Sequence, residues 1–128
     1  MTPKEDFYER YRERIIIGLY EEIDVLGNNG NKKRVMARVD TGATMSSIDS
    51  ELVKELGLGP VIRTKIVKQA QGKTVRDVIE VRFLLAGHEH SEKFTIADRS
   101  HLKYQVLLGQ NALANGYLID PHKHEMKD

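Results

Sequence analysis

Val35-Met36-Ala37-Arg38-Val39-Asp40-Thr41-Gly42-Ala43-Thr44 is the stretch on which the reading turns. Val35, Ala37 and Val39 alternate with Met36, Arg38 and Asp40, the period of a strand with one buried face. That strand runs directly into Asp-Thr-Gly. A carboxylate at a strand end, followed by Thr-Gly, enters a turn whose backbone N–H groups can bond it. Gly42 permits close backbone approach, and Thr41 supplies a hydroxyl able to lock the turn to a group opposite. Asp-(Thr/Ser)-Gly arises by chance in about one chain of this length in twenty, so the tripeptide alone decides nothing.

The flanks read as further strands. Upstream, Ile15–Leu19 and Glu22–Leu26 are strand-like, separated from Val35 by the turn Gly27-Asn28-Asn29-Gly30-Asn31. Downstream, Ser50–Leu56 is a short helix closed by Gly57, and Gly59-Pro60 ends it. Strands follow over Val61–Val67 and Thr74–Leu85, the latter with Val75, Ile79, Val81, Phe83 and Leu85 on one face. Gly87-His88-Glu89 turns the chain into Glu92–Ala97. Gln105–Leu108 is a short apolar strand, Gln110–Ala114 is helical, and Tyr117–Asp120 closes the series before Pro121. Many short strands with two short helices predict an all-β, small closed barrel. Residues 3 to 14, with Phe7, Tyr11 and Ile15 four apart, predict an amphipathic leader helix. The expected organisation is a leader over 1–14, the barrel over 15–121 and a tail over 122–128.

Composition narrows the class. The chain has 128 residues, enough for one domain with its own core. It has no cysteine, which excludes disulfides and thiolate metal ligands. Twenty Lys+Arg against nineteen Asp+Glu leave a charge of +1, too even to hold a polyanion at long range. No basic patch with interleaved aromatics appears, so no nucleic-acid partner is expected. No run approaches the roughly 20 apolar residues of a membrane span. The first 14 residues lack the apolar segment of a signal peptide, and the expected location is cytoplasmic.

A second segment strengthens the Asp-Thr-Gly signal. Val106-Leu107-Leu108-Gly109-Gln110-Asn111-Ala112-Leu113 is an apolar run, a glycine and a helix, arriving after a hairpin. This order over about Ile15 to Asp120 resembles the retropepsin-like aspartic proteases. Ile17-Gly18-Leu19, Arg38-Val39-Asp40-Thr41-Gly42-Ala43, Phe94-Thr95-Ile96-Ala97-Asp98-Arg99-Ser100-His101 and Ile119-Asp120-Pro121 resemble one prokaryotic family within them. That family carries the label ATP-dependent zinc protease and is considered alongside ATP-grasp ligases that add glutamates to proteins.

The resemblance implies an acid-protease barrel and an aspartic peptidase acting on a protein or peptide. Asp40 would be the catalytic carboxylate, supported by Thr41, Gly42, Ala43 and Thr44. Leu107, Leu108 and Gly109 would pack beside that loop. The flap would be the hairpin with its tip at Gln69, Ala70, Gln71, Gly72 and Lys73, poorer in glycine than retroviral flaps. Thr44 and Gln110 stand where many retroviral relatives carry Asp and Arg, so an ion pair of those relatives is missing here. One Asp-Thr-Gly supplies half of a carboxylate pair, which implies a homodimer. The rival reading is a non-proteolytic dimeric peptide-binding module on the same barrel.

Two features stay open at this level. Asp98 and Arg99 either line the cleft or form an internal ion pair shaping the loop before Val106, the latter being favoured. His88-Glu89-His90 and His122-Lys123-His124 have a spacing that puts two imidazoles on one face of a strand. The first lies in a predicted turn and the second near a frayed end, so exposed histidines are expected and no metal. Neither G-x-x-x-x-G-K-[ST] nor G-x-G-x-x-G occurs, and no cofactor is expected.

Overall fold

The structure, a computed structural model, describes Thr2 and residues 12–124. Nine strands and two helices follow in the order β1 (Ile15–Ile17), β2 (Tyr20–Leu26), β3 (Lys32–Val39), β4 (Ser46–Asp49), α1 (Ser50–Leu56), β5 (Arg63–Gln69), β6 (Gly72–Leu85), β7 (His88–Ala97), β8 (Val106–Leu108), α2 (Gln110–Leu113) and β9 (Tyr117–Ile119) among the described residues. Alternation does what it predicts in the barrel strands. Ile23 and Val25 of β2, Ala37 and Val39 of β3, and Ile79, Val81, Phe83 and Leu85 of β6 are all buried. Phe83 meets Phe94 edge-on at 5.7 Å between ring centroids, a favoured aromatic geometry.

The sheet runs β2-β3-β8-β4-β7-β6 and closes where Ile23–Leu26 of β2 pair with Leu85–Arg82 of β6. Closure removes the open edges that would invite edge-to-edge pairing. Two parallel pairings sit at its centre: β3 beside β8, and β4 beside β7. They place the ends of β3 and β8 together, with Val39 opposite Leu108. β6 is long enough to serve two purposes. Its second half belongs to the barrel, and its first half pairs only with β5, from Arg63↔Val78 to Gln69↔Gly72. That hairpin therefore projects beyond the core.

Several expectations need correction. Val75 is 65% exposed, because it lies on the projecting hairpin where no opposite layer covers it. Ile15–Leu19 is not one strand: β1 ends at Ile17 and pairs in parallel with β9, and the chain bends at Leu19. The turn at Gly87-His88-Glu89 is shorter than predicted. Ala86 and Gly87 form it, both with positive φ (50° and 82°), as a two-residue hairpin turn requires. His88 and Glu89 are thus already in β7. β4 was not legible as a strand, although all four of its residues are buried. The expected leader helix falls largely on residues 3–11, which lie outside the described residues, as do 125–128 of the tail.

Residues 122–124 of the tail are not frayed. Lys123 Nζ lies 2.7 Å from Glu21 Oε2, and the His124 ring stacks on Tyr20 at 4.5 Å. Burial tends to raise the Glu21 carboxyl, but Lys123, the Gly18 N–H and His124 outweigh it and hold the group below its ordinary range.

Candidate active site

β3 delivers Asp40 to one end of the barrel. The Val39 N–H donates to Leu19 O and the Asp40 N–H to Leu108 O, both at 2.9 Å, so the strand is gripped on both sides as it ends. The chain then turns. The Gly42 N–H donates to Asp40 Oδ1 at 2.9 Å and the Ala43 N–H to Asp40 O at 3.3 Å. The first bond exists because the Asp side chain is short enough to reach its own backbone two residues on, and the second is the i→i+3 backbone bond of the turn itself.

The segment after β8 holds this loop from behind. Gly109 is packed so closely that a Cβ there would stand 2.8 Å from Ala43 O and from Met45 C and O. The Gly109 N–H donates to Ser46 Oγ at 3.0 Å, and that hydroxyl donates to Asn111 Oδ1 at 2.8 Å. Asn111 Oδ1 also accepts from the Ser46 N–H, and its Nδ2 donates to Lys93 O. Gln110 bonds the loop itself, through its N–H to Ala43 O at 2.7 Å and its Nε2 to Thr41 O at 2.8 Å. Hydrogen bonds from Gln110 to the loop backbone are what this chain has at the position of the missing ion pair.

Two cavities adjoin the loop, and a third lies beyond them along the hairpin. The first, of about 420 Å³, lies between the loop and the projecting hairpin, lined by Gly42, Ala43, Thr44, Leu107, Lys65, Lys68, Arg76 and Arg99 among others. A second of about 410 Å³ contains Asp40 with Arg38, Arg99, Lys103, Tyr104 and Leu107. A third of about 450 Å³ reaches Gln69, Arg76, Asp98 and Arg99. Thr41, Gly42 and Thr44 are exposed, and Asp40 is partly covered. Of the predicted flap tip, Gln69 reaches a cavity, whereas Ala70, Gln71, Gly72 and Lys73 are exposed beyond all three. Leu108 and Gly109 are buried behind the loop, and Leu107 faces the cleft.

Arg99 borders all three cavities. It is not paired with Asp98, whose Oδ1 accepts from the Ser100 hydroxyl at 2.6 Å and N–H at 3.0 Å. The Ser100 hydroxyl and N–H hold the Asp98 carboxyl below its usual range. The Arg99 N–H instead donates to Oδ1 of the buried Asp49 at 2.7 Å, and Arg99 Nε to Tyr104 O at 2.9 Å. Burial, then Arg76, lower the Arg99 guanidinium, against the pull of Asp49 and Asp40. The internal ion pair favoured from the sequence is replaced by two side chains with separate partners. Sequence reasoning also missed Ser47, a residue of the first cavity's lining whose buried Oγ has no hydrogen-bond partner. The Ala-Asp-Arg-Ser-His run was a signal for Arg99; nothing local marks Ser47.

The histidines lie elsewhere. His90 is half-buried on β7, its Nε2 within hydrogen-bond reach of the Tyr117 hydroxyl, which donates to Leu85 O at 3.1 Å. Burial, then His88, lower its pKa. Burial also raises that of Tyr117. His90 and His124 are thus packed, not exposed as predicted. Among the described residues no three His, Asp or Glu side chains converge as a metal site would require.

A barrel with parallel β3–β8 and β4–β7 pairs, presenting Asp-Thr-Gly under a hairpin, defines a retropepsin-like domain. A simian foamy virus protease superposes with a TM-score of 0.55 at 18% identity, over 74% of this chain and 91% of that one. A Legionella pneumophila protein of unknown function does so at 0.55 and 17%, over 83% and 92%. A family model for the RimB-like retropepsin-like aspartic endopeptidases matches residues 55–128, more than half of the chain. The chain belongs to the RimB-like family. A curated relative from Shewanella halifaxensis, named a probable alpha-L-glutamate ligase, is 27% identical over 112 residues; the match covers 68% of this chain but only 24% of that protein.

Proposed function

We propose that this chain is one half of a homodimeric aspartic peptidase, with Asp40 of each copy contributing to one carboxylate pair. The observation that carries this reading is the Asp40 carboxylate, tied to the Gly42 N–H in an exposed loop at the mouth of a cleft beneath a hairpin. Two carboxylates about 3 Å apart cannot both ionise, and share one proton. One takes a proton from water as it attacks the peptide carbonyl; the other gives a proton to the carbonyl oxygen. Exposed Thr41 and Gly42 leave room for a two-fold mate, and Thr41 would bond across the axis. Sedimentation at micromolar concentration is expected to report a dimer. A folded protein that stays monomeric over that range overturns the two-fold arrangement.

The cleft also favours a substrate class. Lys65, Lys68, Arg76 and Arg99 line the first cavity, and among the described residues no carboxylate does. Peptides bearing carboxylates complement that lining. The name of the Shewanella relative, for a ligase of glutamate, is consistent with an acidic polypeptide as substrate. Arg99→Gln is expected to raise KM for a glutamate-rich peptide by about tenfold, the scale of one lost charge-assisted hydrogen bond, and to spare a neutral peptide. Equal changes on both peptides would refute the charge-reading role.

A further inference from the structure

The Thr41–Gly42 peptide unit is held at both ends. Its N–H donates to Asp40 Oδ1 at 2.9 Å, and its C=O accepts from Gln110 Nε2 at 2.8 Å. The two bonds lie on one planar amide, so neither can turn without the other. Without a partner on the carbonyl, this plane would be easy to rotate: Thr41 and Gly42 are exposed, and glycine on the C-terminal side opposes rotation least. An engaged carbonyl also polarises its amide and makes the N–H a better donor.

We propose that Gln110 is a positioning residue for Asp40. Its side-chain amide locks the Thr41–Gly42 plane, and through that plane it orients the carboxylate and sets the strength of the bond the carboxylate receives. The backbone of Gln110 is anchored separately, by its N–H on Ala43 O at 2.7 Å. A side-chain substitution therefore tests the amide while the anchor stays. The kinetic consequence rests on the peptidase reading above; the structural consequence does not.

The test pairs Gln110→Leu with Gln110→Arg, which restores an N–H donor. In Gln110→Leu, hydrogen exchange of the Gly42 amide is expected to quicken about tenfold, as for one lost hydrogen bond, while the amides of Ala43 and Val106 stay unchanged. The Gly42 amide proton should lose its response to titration of the carboxylate. With a cleavable peptide, kcat should fall about tenfold with KM little changed, the signature of an interaction needed in the transition state. Gln110→Arg should recover all three readouts. An unchanged Gly42 amide in Gln110→Leu, or faster exchange spread evenly over the domain, overturns the proposal. If Gln110→Leu does not fold, Gln110→Glu sets an acceptor against the Thr41 carbonyl and is read in the same way. A wild-type protein that cleaves nothing defeats the peptidase reading, and amide exchange still decides this one.

Discussion

Asp40→Asn is expected to abolish peptide hydrolysis while leaving fold and assembly intact. The amide is nearly isosteric with the carboxylate and can still accept from the Gly42 N–H, so the loop keeps its bond. It cannot ionise, take a proton from water or share one with its mate. Loss of general acid–base chemistry alone is worth about 10² to 10⁴ in rate, and in the proposed homodimer one substitution removes both members of the pair. The measurement is cleavage of a denatured protein mixture and of a glutamate-rich peptide, wild type beside variant, from about pH 3 to pH 8, around the reference carboxyl range. A pair that works with one shared proton predicts a rate maximum on the acid side and a decline as the second carboxylate ionises. Equal cleavage by both proteins would assign the activity to other residues or to a contaminant. No cleavage by either, from a verified dimer, would favour the peptide-binding module.

Gly109→Ala should damage stability and activity together. The φ of Gly109 is −94°, open to any residue, so the demand for glycine is purely steric. A Cβ would meet the backbone of Ala43 and Met45 at 2.8 Å, and backbone cannot swing aside as a side-chain tip can. Overpacking of this kind costs about 1–3 kcal/mol, and relief must come by pushing the Asp-Thr-Gly loop away from β8. Gly57→Ala is the matched control. At φ 63° it carries a left-handed penalty of about 1–2 kcal/mol, yet a Cβ there meets nothing within 4 Å. Thermal melts should show both variants destabilised, and cleavage assays should show loss in Gly109→Ala alone. Wild-type activity in Gly109→Ala would mean that the loop tolerates displacement and that this packing does not set the site.

The legible parts of the site are those with local signals. Alternation over Val35–Val39 placed a strand against Asp40, and the apolar run ending at Gly109 marked its neighbour. β4 escaped because Ser46, Ser47 and Asp49 have the composition of a loop. Ser46 and Asp49 are buried with distant partners: Asn111 takes both donors of Ser46, and Asp49 takes the Arg99 N–H. Val75 misled in the opposite sense. Its parity matches the core face of β6, but parity assigns a face and not a covering layer. His90 shows a related limit: a predicted turn implied an exposed imidazole, whereas the strand extends back to His88 and sets His90 against Tyr117.

The amino-acid sequence by itself determined one β-rich domain and one Asp-Thr-Gly with its ionisable group. These follow from residue type and from periods of a few residues, which the backbone enforces locally. That an apolar-Gly-x-Asn segment backs the loop was implied by the resemblance to retropepsin-like proteases and not by any local period. Only the tertiary structure decided that polar β4 is interior, that Arg99 faces the cleft apart from Asp98, and that Gln110 holds the Thr41 carbonyl. Each of these outcomes depends on a partner brought from far along the chain, from 46 to 111, from 49 to 99 and from 41 to 110. A buried polar group is stable only when such a partner arrives, and no local pattern encodes that arrival.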